Sequence, residues 1–204
     1  MLRDFIRELP LIAILRGIRP HEVDAAADAL WEAGFRIIEI PLNSPQPLES
    51  LRLLSKRPGL LAGAGTVLSV AQAESVAAVG GRLIVAPNAD AAVIAAARHL
   101  GLAMLPGVAT PTEAFMALGA GADGLKLFPA EILPPKALKA WRAVLPAGTL
   151  LLPVGGITPQ TMTDYIAAGA DGFGLGSALY RPGMTAADLA RQAMAFVAAY
   201  RSLG

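Results

Sequence analysis

The chain has no cysteine and only two histidines among its 204 residues. Disulfide staples, thiolate nucleophiles and cysteine-ligated metals are thereby excluded, and a reducing compartment such as the cytoplasm suits the composition. Charge is scarce as well: 16% of residues are charged, and 17 basic side chains against 16 acidic ones leave a formal net charge of +1. No stretch gathers basic residues with aromatics, which make up only 5% of the chain, so no nucleic-acid surface is expected. Uninterrupted apolar spans are lacking too. The longest uncharged run, Ala143 to Thr163, holds Pro146, Pro153 and Pro159 together with Gly148, Gly155 and Gly156, and no helix passes through such a run. Met1 to Leu9 alternates charged with apolar residues and offers no apolar core before a small-residue cleavage site, so neither a signal peptide nor a membrane partner is expected.

What the chain has in abundance is apolar mass, with 54% hydrophobic residues and a mean hydropathy of +0.53. That is enough for a large core in one domain spanning residues 1–204. Short runs rich in Ile, Leu and Val recur eight times: Leu11 to Leu15, Arg36 to Ile40, Leu60 to Ala64, Leu83 to Ala86, Leu102 to Leu105, Gly124 to Phe128, Leu150 to Val154 and Gly172 to Leu175. Ala-rich segments with helical spacing separate most of them, such as Val23, Ala26, Ala27 and Leu30 before Gly34, or Val93, Ile94 and Ala97 before Gly101. Continuous rather than alternating apolar runs belong to parallel strands covered on both faces. Eight strand-helix units of about 25 residues predict an α/β fold, a single (β/α)8 TIM barrel. An internal echo supports it, because Ala-Gly-Ala-Asp-Gly precedes both the sixth and the eighth run, ending at Gly124 and Gly172. Asp4 to Leu9 is expected to form a short N-terminal helix plugging the barrel floor. An open doubly wound sheet is the alternative, but no Gly-x-Gly-x-x-Gly follows the first strand.

Chemistry in such barrels gathers at the C-terminal ends of the strands. The polar residues there are Arg16, Glu39, Thr66, Asn88, Lys126, Thr158 and Ser177. Lys126 carries the most information. Strand alternation sends Leu125 and Leu127 toward the helices and Lys126 into the barrel, where desolvation favours a neutral amine able to attack a carbonyl. Glu39 stands alone among isoleucines and is a proton-transfer candidate. For both residues a structural ion pair, Glu39 with Lys126 or with Arg16, is the alternative reading. The planar donor fork of Arg16 fits a carboxylate or a phosphate. Glycine-rich corners follow the seventh run at Gly155 and Gly156 and the eighth at Gly176 and Ser177, where backbone N–H groups can cradle a phosphate. Thr66 is placed either to bond a substrate oxygen or to stabilise its own turn. His21 sits at a helix start and His99 within a helix, so no metal is expected.

The motifs LIAILRG (Leu11–Gly17), EIPLNSP (Glu39–Pro45), GAGTV (Gly63–Val67), APN (Ala86–Asn88), LPGVAT (Leu105–Thr110), LKLFP (Leu125–Pro129) and VGGI (Val154–Ile157) resemble those of the class I 2-keto-3-deoxy-6-phospho-sugar-acid aldolases. The resemblance covers nearly the whole chain. It implies Lys126 as the Schiff-base lysine, Glu39 as the acid/base, Arg16 and Thr66 near the keto acid, and Gly155, Gly156, Gly176 and Ser177 at the phosphate. It further implies a small phosphorylated keto sugar acid as substrate, no cofactor, and a homotrimer. Gluconate-type relatives usually carry Thr-Leu-Arg-Thr where this chain has Pro41 to Ser44, and a threonine where it has Val154. Asn43 and Val154 are therefore the expected specificity positions, and they favour the galactonate branch, with pyruvate and glyceraldehyde 3-phosphate as products. A phosphosugar epimerase would want metal-binding or paired acid/base residues at strand ends, and a binding-only barrel would leave Lys126 beside Glu39 without a purpose.

Overall fold

The computed structural model describes residues 1–203. Strand and helix alternate through α1 (Leu2–Glu8), β1 (Leu11–Ile14), α2 (Val23–Ala33), β2 (Ile37–Pro41), α3 (Pro47–Ser55), β3 (Leu61–Gly65), α4 (Val70–Ala78), β4 (Leu83–Val85), α5 (Ala91–His99), β5 (Ala103–Leu105) and β6 (Gly107–Val108). They continue through α6 (Pro111–Gly119), β7 (Leu125–Leu127), α7 (Pro135–Arg142), β8 (Leu151–Pro153), α8 (Met162–Ala167), β9 (Phe173–Leu175) and α9 (Ala186–Arg201). Local chemistry starts the helices. Side-chain oxygens of Ser69, Asp90, Thr110 and Thr185 accept first-turn N–H groups of α4, α5, α6 and α9, which otherwise lack partners. Among the described residues no helix is long and apolar enough to cross a membrane.

All strand pairs are parallel. One ladder runs β5-β4-β3-β2-β1-β9 and a second β6-β7-β8. Two seams join them into a curled barrel. At one, the chain passes through Pro106, whose carbonyl accepts the Lys126 N–H at 2.9 Å. At the other, Val154 bridges Gly174 and Asp171 N–H reaches Leu151 O at 3.0 Å. The fifth apolar run thus corresponds to two pieces, β5 and β6. Proline has no N–H to continue the ladder, so the strand breaks at Pro106 and resumes against β7. The barrel is a distorted (β/α)8 arrangement, with the fifth strand in halves.

Alternation sorts the side chains into two cores. Ile12, Ile37, Leu61, Leu83, Val85, Ala103, Leu105 and Leu152 fill the lumen, and Leu2 and Ile6 of α1 close its N-terminal end. Their neighbours Leu11, Ala13, Ile38, Ile40, Ala62, Ile84, Met104, Leu125, Leu127, Leu151, Phe173 and Leu175 face the helices. The lumen is therefore plugged by apolar side chains at the strand starts, and its polar residues are confined to the strand ends.

Candidate active site

β7 supplies Lys126, opposite Gly107 of β6 and Leu152 of β8. Because Leu125 and Leu127 are held in the outer core, the lysine must point inward. It is only 7% exposed, and its Nζ lies 4.4 Å from the centroid of the Phe128 ring. Burial pushes the ammonium below its ordinary pKa; Glu39 pulls it back up, and Arg16 pushes it down further.

β2 supplies Glu39, in register with Ile14 and Gly63 and 2% exposed. Its carboxyl rests against Gly65: a Cβ at that position would stand 2.1 Å from Oε2. Gly65 is glycine because the carboxyl occupies the space of a side chain. Oε2 has no hydrogen-bond partner, and burial drives the pKa up to about 7, against the opposing pull of Lys126 and then Arg16. None of the salt bridges among the described residues involves Glu39, Lys126 or Arg16. Neither Glu39 nor Lys126 therefore makes a direct salt bridge, although the charges of Lys126 and Arg16 act on the Glu39 carboxyl. Two titratable groups stand at the barrel mouth, each shifted toward its neutral form.

A cavity of about 490 Å3 opens over Lys126. Of the residues singled out in the sequence, Arg16, Lys126, Val154, Gly155, Gly156, Thr158, Gly176 and Ser177 line it, while Glu39, Thr66, Asn43 and Asn88 do not. Glu39 lies buried in the barrel behind it. Asn43 connects to it through Arg16, whose Nη1 donates to Asn43 Oδ1 at 2.5 Å. Thr66 follows Gly65 with φ of 56°, a left-handed conformation that costs a non-glycine residue roughly 1 kcal/mol. The glycine corner has backbone of the same kind, with φ of 106° at Gly155 and 64° at Gly156, and the Glu131 side chain lies against both α-carbons.

Phe128, Glu131, Tyr180 and Arg181 also line the cavity and were not singled out in the sequence. Phe128 was readable by parity, two residues beyond Lys126. Arg181 was not, because it sits in an aperiodic connection and is oriented by a bond from Nε to Ser177 O at 3.0 Å. Among the described residues no three His, Asp or Glu side chains come together as a metal-binding group.

A lysine shifted toward its amine form and a glycine corner lining one cavity, with a buried carboxyl poised near neutrality that feels the lysine's charge, suit carbonyl condensation coupled to proton transfer on an anionic substrate. Comparisons with known proteins agree. The family profile for KDPG and KHG aldolases matches residues 2–194. A relative from Rhizobium meliloti, named probable 2-dehydro-3-deoxy-6-phosphogalactonate aldolase, is 52% identical over 95% of this chain and 92% of its own length. A Pseudomonas aeruginosa 2-dehydro-3-deoxy-phosphogluconate aldolase is 33% identical over 79% of this chain and 74% of its own. A solved structure described as native KDPGal superposes with a TM-score of 0.94 at 48% identity, covering 96% of both chains.

Proposed function

Because this chain belongs to the KDPG and KHG aldolase family, we propose that it is a class I aldolase that cleaves 2-dehydro-3-deoxy-6-phosphogalactonate to pyruvate and D-glyceraldehyde 3-phosphate. The observation that carries the reading is the inward Lys126 with its lowered pKa, beside a buried carboxyl held near pH 7. The neutral amine attacks the C2 ketone, and loss of water leaves an iminium. Glu39, as carboxylate, takes the C4 hydroxyl proton while the C3–C4 bond breaks and its electrons pass to the iminium. Glyceraldehyde 3-phosphate departs. The enamine left behind is protonated at C3 by Glu39 or a water it positions, and hydrolysis returns pyruvate and the free lysine.

In this reading Arg16 and Thr66 serve the keto-acid end, and Gly155, Gly156, Gly176 and Ser177 the phosphate, with Arg181 supplying positive charge beside them. Galactonate-branch specificity is supported by the 52% identity to the Rhizobium relative against 33% to the gluconate aldolase, and by Val154 and Asn43. The assembly in this reading is a homotrimer and its compartment the cytoplasm; exposed Phe115, Ile132 and Val144 are apolar surface that a subunit contact would cover, and sedimentation velocity checks the trimer.

Two measurements test the function. Borohydride added with pyruvate should inactivate the protein irreversibly and label Lys126, and labelling elsewhere overturns its role. Turnover of the two C4-epimeric substrates should favour the galactonate-derived one, and a preference for the gluconate epimer rejects the branch.

A further inference from the structure

Arg16 is exposed, and a free arginine loses rotamer freedom when it is fixed on a ligand. In this fold part of that freedom is already gone. The Gly17 N–H donates to Ser44 Oγ at 2.9 Å, and Ser44 is buried. From the connection between β9 and α9, Pro182 Cγ stands 2.6 Å from the position a Cβ on Gly17 would take, and Gly17 has φ of +85°. The backbone that carries Arg16 is thus pinned between the loop after β2 and the connection from β9 to α9. The guanidinium is held as well, because Asn43 Oδ1 accepts from Nη1 and leaves its other donors free to face the cavity that Arg16 lines.

We propose that Asn43 and Ser44 are positioning residues that pre-orient Arg16 for the substrate carboxylate. Asn43 holds one arm of the guanidinium, and Ser44 fixes the main chain from which it projects. The influence of Asn43 then passes through Arg16 rather than through direct contact with the C4 hydroxyl. This rests on reading Arg16 as the carboxylate partner.

Steady-state cleavage and deuterium exchange at the pyruvate methyl, with single and paired variants, test it. Asn43→Ala should raise KM for substrate and for pyruvate about fivefold, with kcat within twofold, because the bond lost serves binding alike in ground and transition states. Ser44→Ala should do the same, and Ser44→Thr, which keeps the hydroxyl, should restore the wild-type KM. In an Arg16→Met background, Asn43→Ala should have no further effect. An unchanged KM in Asn43→Ala, while Arg16→Met raises it, overturns the positioning role and leaves the carboxylate reading intact. Additive effects of Asn43→Ala and Arg16→Met also overturn it. An unchanged pyruvate KM in Arg16→Met itself overturns both.

Discussion

Glu39 and Lys126 both point inward at the mouth of an apolar barrel, and the barrel presses both toward neutrality because charge is costly to desolvate. With Glu39 at about 7, kcat/KM should rise with pH through a limb near 7, where an ordinary glutamate would place it near 4.5. Glu39→Gln should lose that limb and about a hundredfold or more of turnover, while still forming the imine with pyruvate. Stability carries the same signature. The folded carboxyl holds its proton more tightly than the unfolded one, so its contribution is complete below about 4.5 and is lost as pH rises to about 7. Denaturant midpoints of wild type should fall relative to Glu39→Gln across that interval, and parallel curves would contradict the burial argument. Val154 lines the same cavity as Lys126. Thr replaces it at similar volume and adds a hydroxyl, and one hydrogen bond is worth about 0.5–1.5 kcal/mol. Val154→Thr should shift kcat/KM toward the gluconate epimer by up to about tenfold; an unchanged ratio removes Val154 from specificity.

The repeated Ala-Gly-Ala-Asp-Gly element has a concrete role in the folded chain. Asp123 N–H donates to Met104 O at 3.0 Å, and its carboxylate accepts the Met104 N–H at 2.9 Å. Asp171 does the same to Leu151, with its N–H at 3.0 Å and its carboxylate at 2.7 Å, and it also pairs with Arg142. Each aspartate substitutes for a ladder partner where the strand begins, and both stand at the seams. The β2–β3 pair positions chemistry by a different device, the missing side chain of Gly65. Gly65→Ala puts a Cβ into the Glu39 carboxyl, and the far end of a flexible side chain yields more cheaply than backbone. The variant should keep its fold and melting temperature to within a few degrees, yet fall toward the turnover of Glu39→Gln. Wild-type turnover in Gly65→Ala would show that the carboxyl position is not critical.

For the molecule as a whole, stability and chemistry occupy opposite ends of one barrel. Leu2 and Ile6 are 3% and 7% exposed and pack on the first inward residues of the strands, far along the lumen from Lys126. Ile6→Ala should cost about 2–5 kcal/mol of unfolding free energy and leave kcat unchanged, as urea titration and turnover would show. A large loss of kcat without loss of stability would mean that the plug is coupled to the mouth.

Periodicity and local chemistry alone decide much here. Inward and outward parity along β7 aims Lys126, and continuous apolar runs demand a doubly covered parallel sheet, because side-chain direction along a strand is a property of consecutive residues. The α1 plug is expected over Asp4 to Leu9 and forms over Leu2–Glu8, so that Leu2, which helps to close the lumen, lies outside the expected segment. Other features depend on residues distant in sequence. The break at Pro106 left a two-residue strand too short to carry a pattern, and only pairing with β7 makes it one. The pKa of Glu39, the seat that Gly65 leaves for it, the tether of Arg16 to Asn43 and the arrival of Arg181 at the cavity arise from contacts between separate loops. Burial and proximity set those properties, and both come into being only when the barrel closes.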